Sequence, residues 1–113
     1  MLKANDLEGM VRMYTSDAVL MPPSHEVVAG SDALRSWFRE MLDRFEIVDY
    51  AITQDELVVA GDWAYRRGTF AWKLRAKSDG AITEPGSKFL QIWQRVDATA
   101  TWRVARGIWN SNA

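Results

Sequence analysis

One hundred and thirteen residues suffice for a single hydrophobic core without metal or disulfide staples, and 48% hydrophobic against 26% charged side chains is the balance of a folded globular chain. Fourteen basic and 15 acidic side chains leave a net charge of −1, which argues against a nucleic-acid surface, since that needs clustered excess cation. Without cysteine there is no disulfide or zinc–thiolate site, and no signal peptide or membrane-length apolar run is visible, so the expected location is cytoplasmic.

No repeat, low-complexity tract or linker interrupts the chain, and residues 1–113 are read as one domain. Asn5-Asp6-Leu7-Glu8 has the form of a capping box with Asn5 as N-cap. Leu7, Met10, Val11 and Tyr14 follow as one helical stripe. Thr15-Ser16-Asp17 ends that short helix. Ala18–Met21 reads as a buried strand stopped by Pro22-Pro23, which cannot donate to a ladder. Val27–Ala29 is a second short strand, ended by Gly30. Ser31 or Asp32 then caps a second helix, whose wide apolar face carries Leu34, Trp37, Phe38, Met41, Leu42 and Phe45.

From about residue 46 the period becomes two. Strands are expected over Ile47–Val59 with a bulge near Asp55, then Trp63–Arg75, Lys88–Val96 and Trp102–Trp109. Gly61-Asp62, the segment 77–87 and the segment 97–101 join them into an antiparallel meander. Helices before strands make the class α+β.

Alternation divides the strand residues into two sets. One set joins Ala64, Arg66, Gly68, Phe70 and Trp72 to Leu90, Ile92, Gln94, Trp102, Val104, Arg106 and Ile108. The other joins Tyr65, Arg67, Thr69 and Ala71 to Phe89, Gln91, Trp93, Arg95, Arg103, Ala105, Gly107 and Trp109. Neither is polar enough to face water across its width. Two helices cover one face, and a second copy of the chain is the economical cover for the other, giving an isologous homodimer. The set with Tyr65 and Arg67 mixes aromatics, polar groups and small residues, the composition of a pocket lining; plain core packing is the competing reading.

At this point the chain resembles a family. Tyr14–Pro23, Val28–Leu34, Gly61–Phe70, Lys88–Arg95 and Trp102–Ser111 are similar to the SnoaL-like domains of the nuclear-transport-factor-2-like superfamily, which are related to ketosteroid isomerase. The resemblance implies a cystatin-like cone, a strongly curved antiparallel sheet wrapped around N-terminal helices with a central pocket, and dimers through the outer sheet face. It also implies that most of the usual first helix is absent, with Lys3–Asp6 matching the bend after it. The isomerase base would fall at Pro22 and the second acid at Gln91. Proline cannot carry a proton, whereas Gln91 can still donate to an oxyanion.

Tyr65, Arg67, Gln91, Trp93 and Trp109 are therefore the candidate ligand-binding residues, with Arg67 suited to a bidentate grip on a carboxylate or enolate. Its alternative is an ion pair, for which Asp49, Asp55, Glu56 and Asp62 are available. His25, the one histidine, and Glu26 follow Pro22-Pro23 and are the candidate acid/base pair; a solvated loop is the competing reading. Of six tryptophans, Trp37, Trp93 and Trp109 are expected inside, and Trp72 and Trp102 at the dimer interface. Neither a metal nor a cofactor is implied. The expected function is binding of a small apolar or aromatic molecule in the cone. The alternatives are a cofactor-free isomerase, cyclase or hydrolase on the same scaffold, or a dimeric assembly module.

Overall fold

A computed structural model describes residues 5–96 and 101–111. The expected turn at 97–100 and the approach through Lys3-Ala4 lie outside them. Helix α1 spans Leu7–Arg12, strand β1 Tyr14–Met21, strand β2 Val28–Ala29 and helix α2 Ser31–Arg44. Strands β3 (Phe45–Ala60), β4 (Trp63–Ala76), β5 (Ile82–Thr83), β6 (Gly86–Arg95) and β7 (Trp102–Ser111) follow. One curved, unclosed sheet has the order β2-β1-β7-β6-β4-β3, with β5 beside β4. The meander β3-β4-β6-β7 is antiparallel, and β1 closes onto β7 in parallel. The α+β class and the curved cystatin-like sheet are those expected.

Helix α1 begins one residue later than the capping box suggests. Asp6 is the N-cap, its carboxylate accepting from Gly9 N at 3.0 Å. A Cβ at Gly9 would stand 2.4 Å from that carboxylate, which would have to turn aside to admit one. Asn5 acts elsewhere, donating to Ile47 O at 3.1 Å and accepting from Ile47 N at 2.9 Å. It supplies a two-bond, strand-like partner to β3 at the bulge between Ile47 and Asp49. Helix α2 starts after Gly30, at φ +90°, without a side-chain cap.

The core gathers where the helices meet the inner sheet face. Met10, Val11, Ala18, Leu20, Val28, Leu34, Phe38 and Ile47 are buried together, with Trp37, Trp72, Leu74 and Trp109 packed against them. Trp72 thus lies inside, against Tyr50 and Phe70, and not on an outer interface. Gly107, one of the small residues in the set read as a pocket lining, leaves no hollow: Leu20 fills the space, its Cδ2 3.0 Å from where a Cβ would stand.

Two bulges bend β3 against β4, one of them at Asp55 as expected, between Gln54 and Glu56. Beside it the β3 backbone passes directly over Gly68: a Cβ there would lie 1.9 Å from Thr53 O. Alanine at 68 must therefore push the two strands apart, and we expect Gly68→Ala to lower stability by about 2–4 kcal/mol in urea denaturation.

Tyr14 is half-buried against Phe38, and its phenol has no hydrogen-bond partner among the described residues. Burial pushes its pKa up to about 12. The unfolded value is about 10, so the resulting stability is fully present below pH 10 and is lost as pH rises through 12. Tyr14→Phe should leave stability near pH 7 within ~1 kcal/mol of wild type and remove an alkaline loss on the order of 1–3 kcal/mol, read by denaturation at stepped pH.

Candidate functional site

The inner face is read from register, because residues paired directly across an antiparallel ladder share a face. Gly68 pairs with Phe89, Arg66 with Gln91 and Ala64 with Trp93. Phe89 in turn pairs with Trp109, and Gln91 with Gly107. Even-numbered residues of β4 and odd-numbered residues of β6 therefore line the inner face together. Tyr65 and Arg67 fall on the outer face beside Ile92 and Leu90.

This corrects the expected sets. Alternation within each strand is as read, but β4 is turned over relative to β6. In β7 the bulge opposite Ile92 and Trp93 places Trp102 and Val104 on the inner side with Trp93 and Trp109. Trp102 lies beneath the Arg95 guanidinium, 5.9 Å from its ring centre, rather than on an outer interface. Of the five candidate ligand residues, Gln91, Trp93 and Trp109 share the inner face, while Tyr65 and Arg67 do not. Arg67 pairs with Glu56 at 3.0 Å, an exposed ion pair between neighbouring strands.

Aromatic rings floor the inner face. Trp37 of α2 meets Trp109 edge-on at 6.5 Å, and Phe70 lies 6.1 Å from Phe89 and 5.6 Å from Trp72. At the helix end His25 joins the row, its ring 4.7 Å from that of Trp37. A carbonyl can only accept, so the 2.8 Å bond between His25 Nδ1 and Glu26 O makes Nδ1 the protonated nitrogen. In the neutral ring, Nε2 then keeps its lone pair. His25 and Glu26 are exposed, and Glu26 touches His25 through its main chain rather than its carboxylate. Among the described residues, no group of three or more acidic or histidine side chains gathers to hold a metal ion.

At the far end the inner face is open. Ile52 is 50% exposed, Leu57 49% and Val59 58%, although the register turns all three inward. Arg66 sits between Leu57 and Gln91, its guanidinium 5.6 Å from the centre of the Phe89 ring. Its Nε is buried and makes no hydrogen bond. Gln91 accepts from the Trp93 indole at 3.0 Å. Sequence reasoning missed Arg66. It sits in the list of even-numbered β4 residues, but nothing local fixed how β4 was turned against β6.

The outer face carries its own features. Val58, Tyr65 and Ile92 form one row, and Leu90 and Ile108 a second. All five are between 37% and 44% exposed. A shallow groove of about 310 Å³ runs beside them, bounded by Arg67, Lys88 and Asn110.

Comparison with known proteins places this geometry. A family model described as SnoaL-like domain matches residues 1–111. No sequence among curated proteins matches significantly. A solved ketosteroid isomerase-like protein from Erwinia carotovora atroseptica SCRI1043 is 25% identical with a TM-score of 0.85, the match covering 96% of this chain and 83% of that one. A nuclear transport factor 2-like superfamily protein from Salmonella enterica serovar Typhimurium LT2 is 12% identical with a TM-score of 0.79, over 96% and 79% of the two chains. A protein with a cystatin-like fold from Novosphingobium aromaticivorans is 16% identical with a TM-score of 0.71, over 96% and 70%. The match across nearly the whole chain and the curved sheet around two helices give the same answer: the chain belongs to the SnoaL-like domain family.

Proposed function

We propose that this domain binds a small apolar or aromatic molecule against the inner face of its sheet, as a homodimer joined through the outer face. The observation that carries the reading is the open end of the inner face. Three large aliphatic side chains, Ile52, Leu57 and Val59, stand about half exposed beside an aromatic floor. Exposed apolar surface that turns inward gains most from an apolar occupant, at roughly 25 cal/mol per Å² removed from water.

Pro22 favours binding over isomerase chemistry. It is buried at the end of β1 and has no group that could shuttle a proton. A second reading, acid–base catalysis, draws on the free Nε2 of His25 at the helix end of the aromatic row. The two apolar rows on the outer face support self-association, since together they form a contiguous patch rather than scattered single residues.

Native mass spectrometry of the protein as purified, repeated under denaturing conditions, tests the binding reading. The expected result is a dimer carrying extra mass that is lost on denaturation. A clean dimer would favour an assembly role, and a monomer would overturn the outer-face interface. Ile92→Lys, placing a charge at 38% exposure in the middle of the patch, should weaken the dimer by about tenfold or more in sedimentation equilibrium.

A further inference from the structure

Resting on the reading of the inner face as a binding surface, we propose that its ligand is a planar aromatic carboxylate whose anionic end is held by Arg66 and Gln91. A guanidinium has five N–H donors and no acceptor. Among the described residues none of those of Arg66 is bonded to the protein, and its Nε is buried without a partner. Arg66 as a whole is half-buried, but a buried guanidinium N–H without a partner is costly, because such a donor loses its water without a replacement. Neighbouring arginines, though more exposed, each have a carboxylate: Arg67 pairs with Glu56, Arg75 with Glu46 and Arg95 with Asp62. Arg66 does not.

Among the described residues no carboxylate pairs with it. The inward positions of β3 at this end are Ile52, Gln54, Leu57 and Val59, all uncharged. Glu56 and Asp49 fall on the outer face through the two bulges. The cation is held by the Phe89 ring, a contact that fixes its place without consuming its hydrogen bonds.

Gln91, paired directly across from Arg66, contributes a second donor. An indole N–H can only donate, so the amide atom that meets Trp93 Nε1 must be Oε1. That bond leaves the amide NH2 of Gln91 as its unused end, without a partner among the described residues. The site therefore offers one positive charge and one neutral donor, beside an aromatic floor and an aliphatic edge. A single carboxylate balances the charge, and its two oxygens suit a guanidinium fork with one further donor. A planar aromatic body would lie along the exposed edge of Ile52, Leu57 and Val59 beside the rings of Phe70, Phe89 and Trp93.

The test compares 2-naphthoate with 2-naphthamide, the same ring system with and without charge, by tryptophan fluorescence and calorimetry at pH 7. Wild type should bind the carboxylate about tenfold or more tightly than the amide, and added salt should shrink the difference. Gln91→Glu keeps an acceptor for Trp93 but supplies an internal anion to Arg66. It should cut naphthoate affinity by about tenfold or more and leave naphthamide within about twofold. Arg66→Met should abolish the preference, whereas Arg67→Met, on the other face, should keep it. Circular dichroism checks that each variant folds; the wild-type preference and the Gln91→Glu result stand without Arg66→Met. Equal binding of both probes by wild type overturns the carboxylate assignment while leaving an apolar pocket. A preference that survives Gln91→Glu unchanged overturns it as well. Binding of neither probe overturns both the assignment and the pocket.

Discussion

The close passage of the β3 backbone over Gly68 sets the shape on which everything else depends. With Thr53 O where any side chain at 68 would begin, the two longest strands pack tighter than a Cβ permits. The bulge at Asp55 sits at the same place and adds one residue to β3. An extra residue on one strand bends and twists the pair, turning a flat ladder into a curved one. That curvature creates an inner face distinct from an outer one. Asn5 reinforces the other bulge, clasping Ile47 and tying the start of α1 to the start of β3.

Curvature then divides the inner face by what covers it. At one end α1 and α2 press onto Ile47, Trp72, Leu74 and Trp109, making a dry core. At the other the helices do not reach, and Leu57 and Val59 remain open beside Arg66. The aromatic row crosses this boundary: Trp37 and Trp109 lie on the core side, and Phe89 and Phe70 carry it toward the open end. The same types of side chain thus serve as core at one end and, at the other, as a buried or half-buried floor beneath an exposed aliphatic edge. Composition alone could not separate a pocket from plain packing.

Within single elements the sequence was informative. The stripe from Leu34 to Leu42 marks α2, though Phe45, read as its last member, is already extended and opens β3; the change to period two marks the sheet, because both are local consequences of which side faces apolar neighbours. The bulge near Asp55 was also legible. What could not be read was the relation between strands. β4 and β6 are joined through 77–85, a connection long enough to hold β5, so the parity of one strand does not carry over to the next. A one-residue change in pairing exchanges Arg66 for Arg67. The N-cap failed similarly: Asn5 and Asp6 are both good caps, and only the position of β3 decides that Asn5 is needed elsewhere.

Arg66 and Arg67 show how far that one-residue ambiguity reaches into function. Arg67 has its partner, Glu56, in a pair whose side chains are 55% and 40% exposed, and such pairs contribute about 0–1 kcal/mol. It offers little to a ligand, because any anion must compete with an existing carboxylate and with water. One position away, Arg66 projects to the face where water is partly excluded, and it carries no carboxylate of its own. There a charge–charge hydrogen bond is worth more, and an unmade one costs more. A neutral occupant would gain the aromatic floor and leave the buried Nε as it is. An anionic occupant would gain the floor and satisfy the cation in the same step, so the proposed site would discriminate by charge as well as by shape.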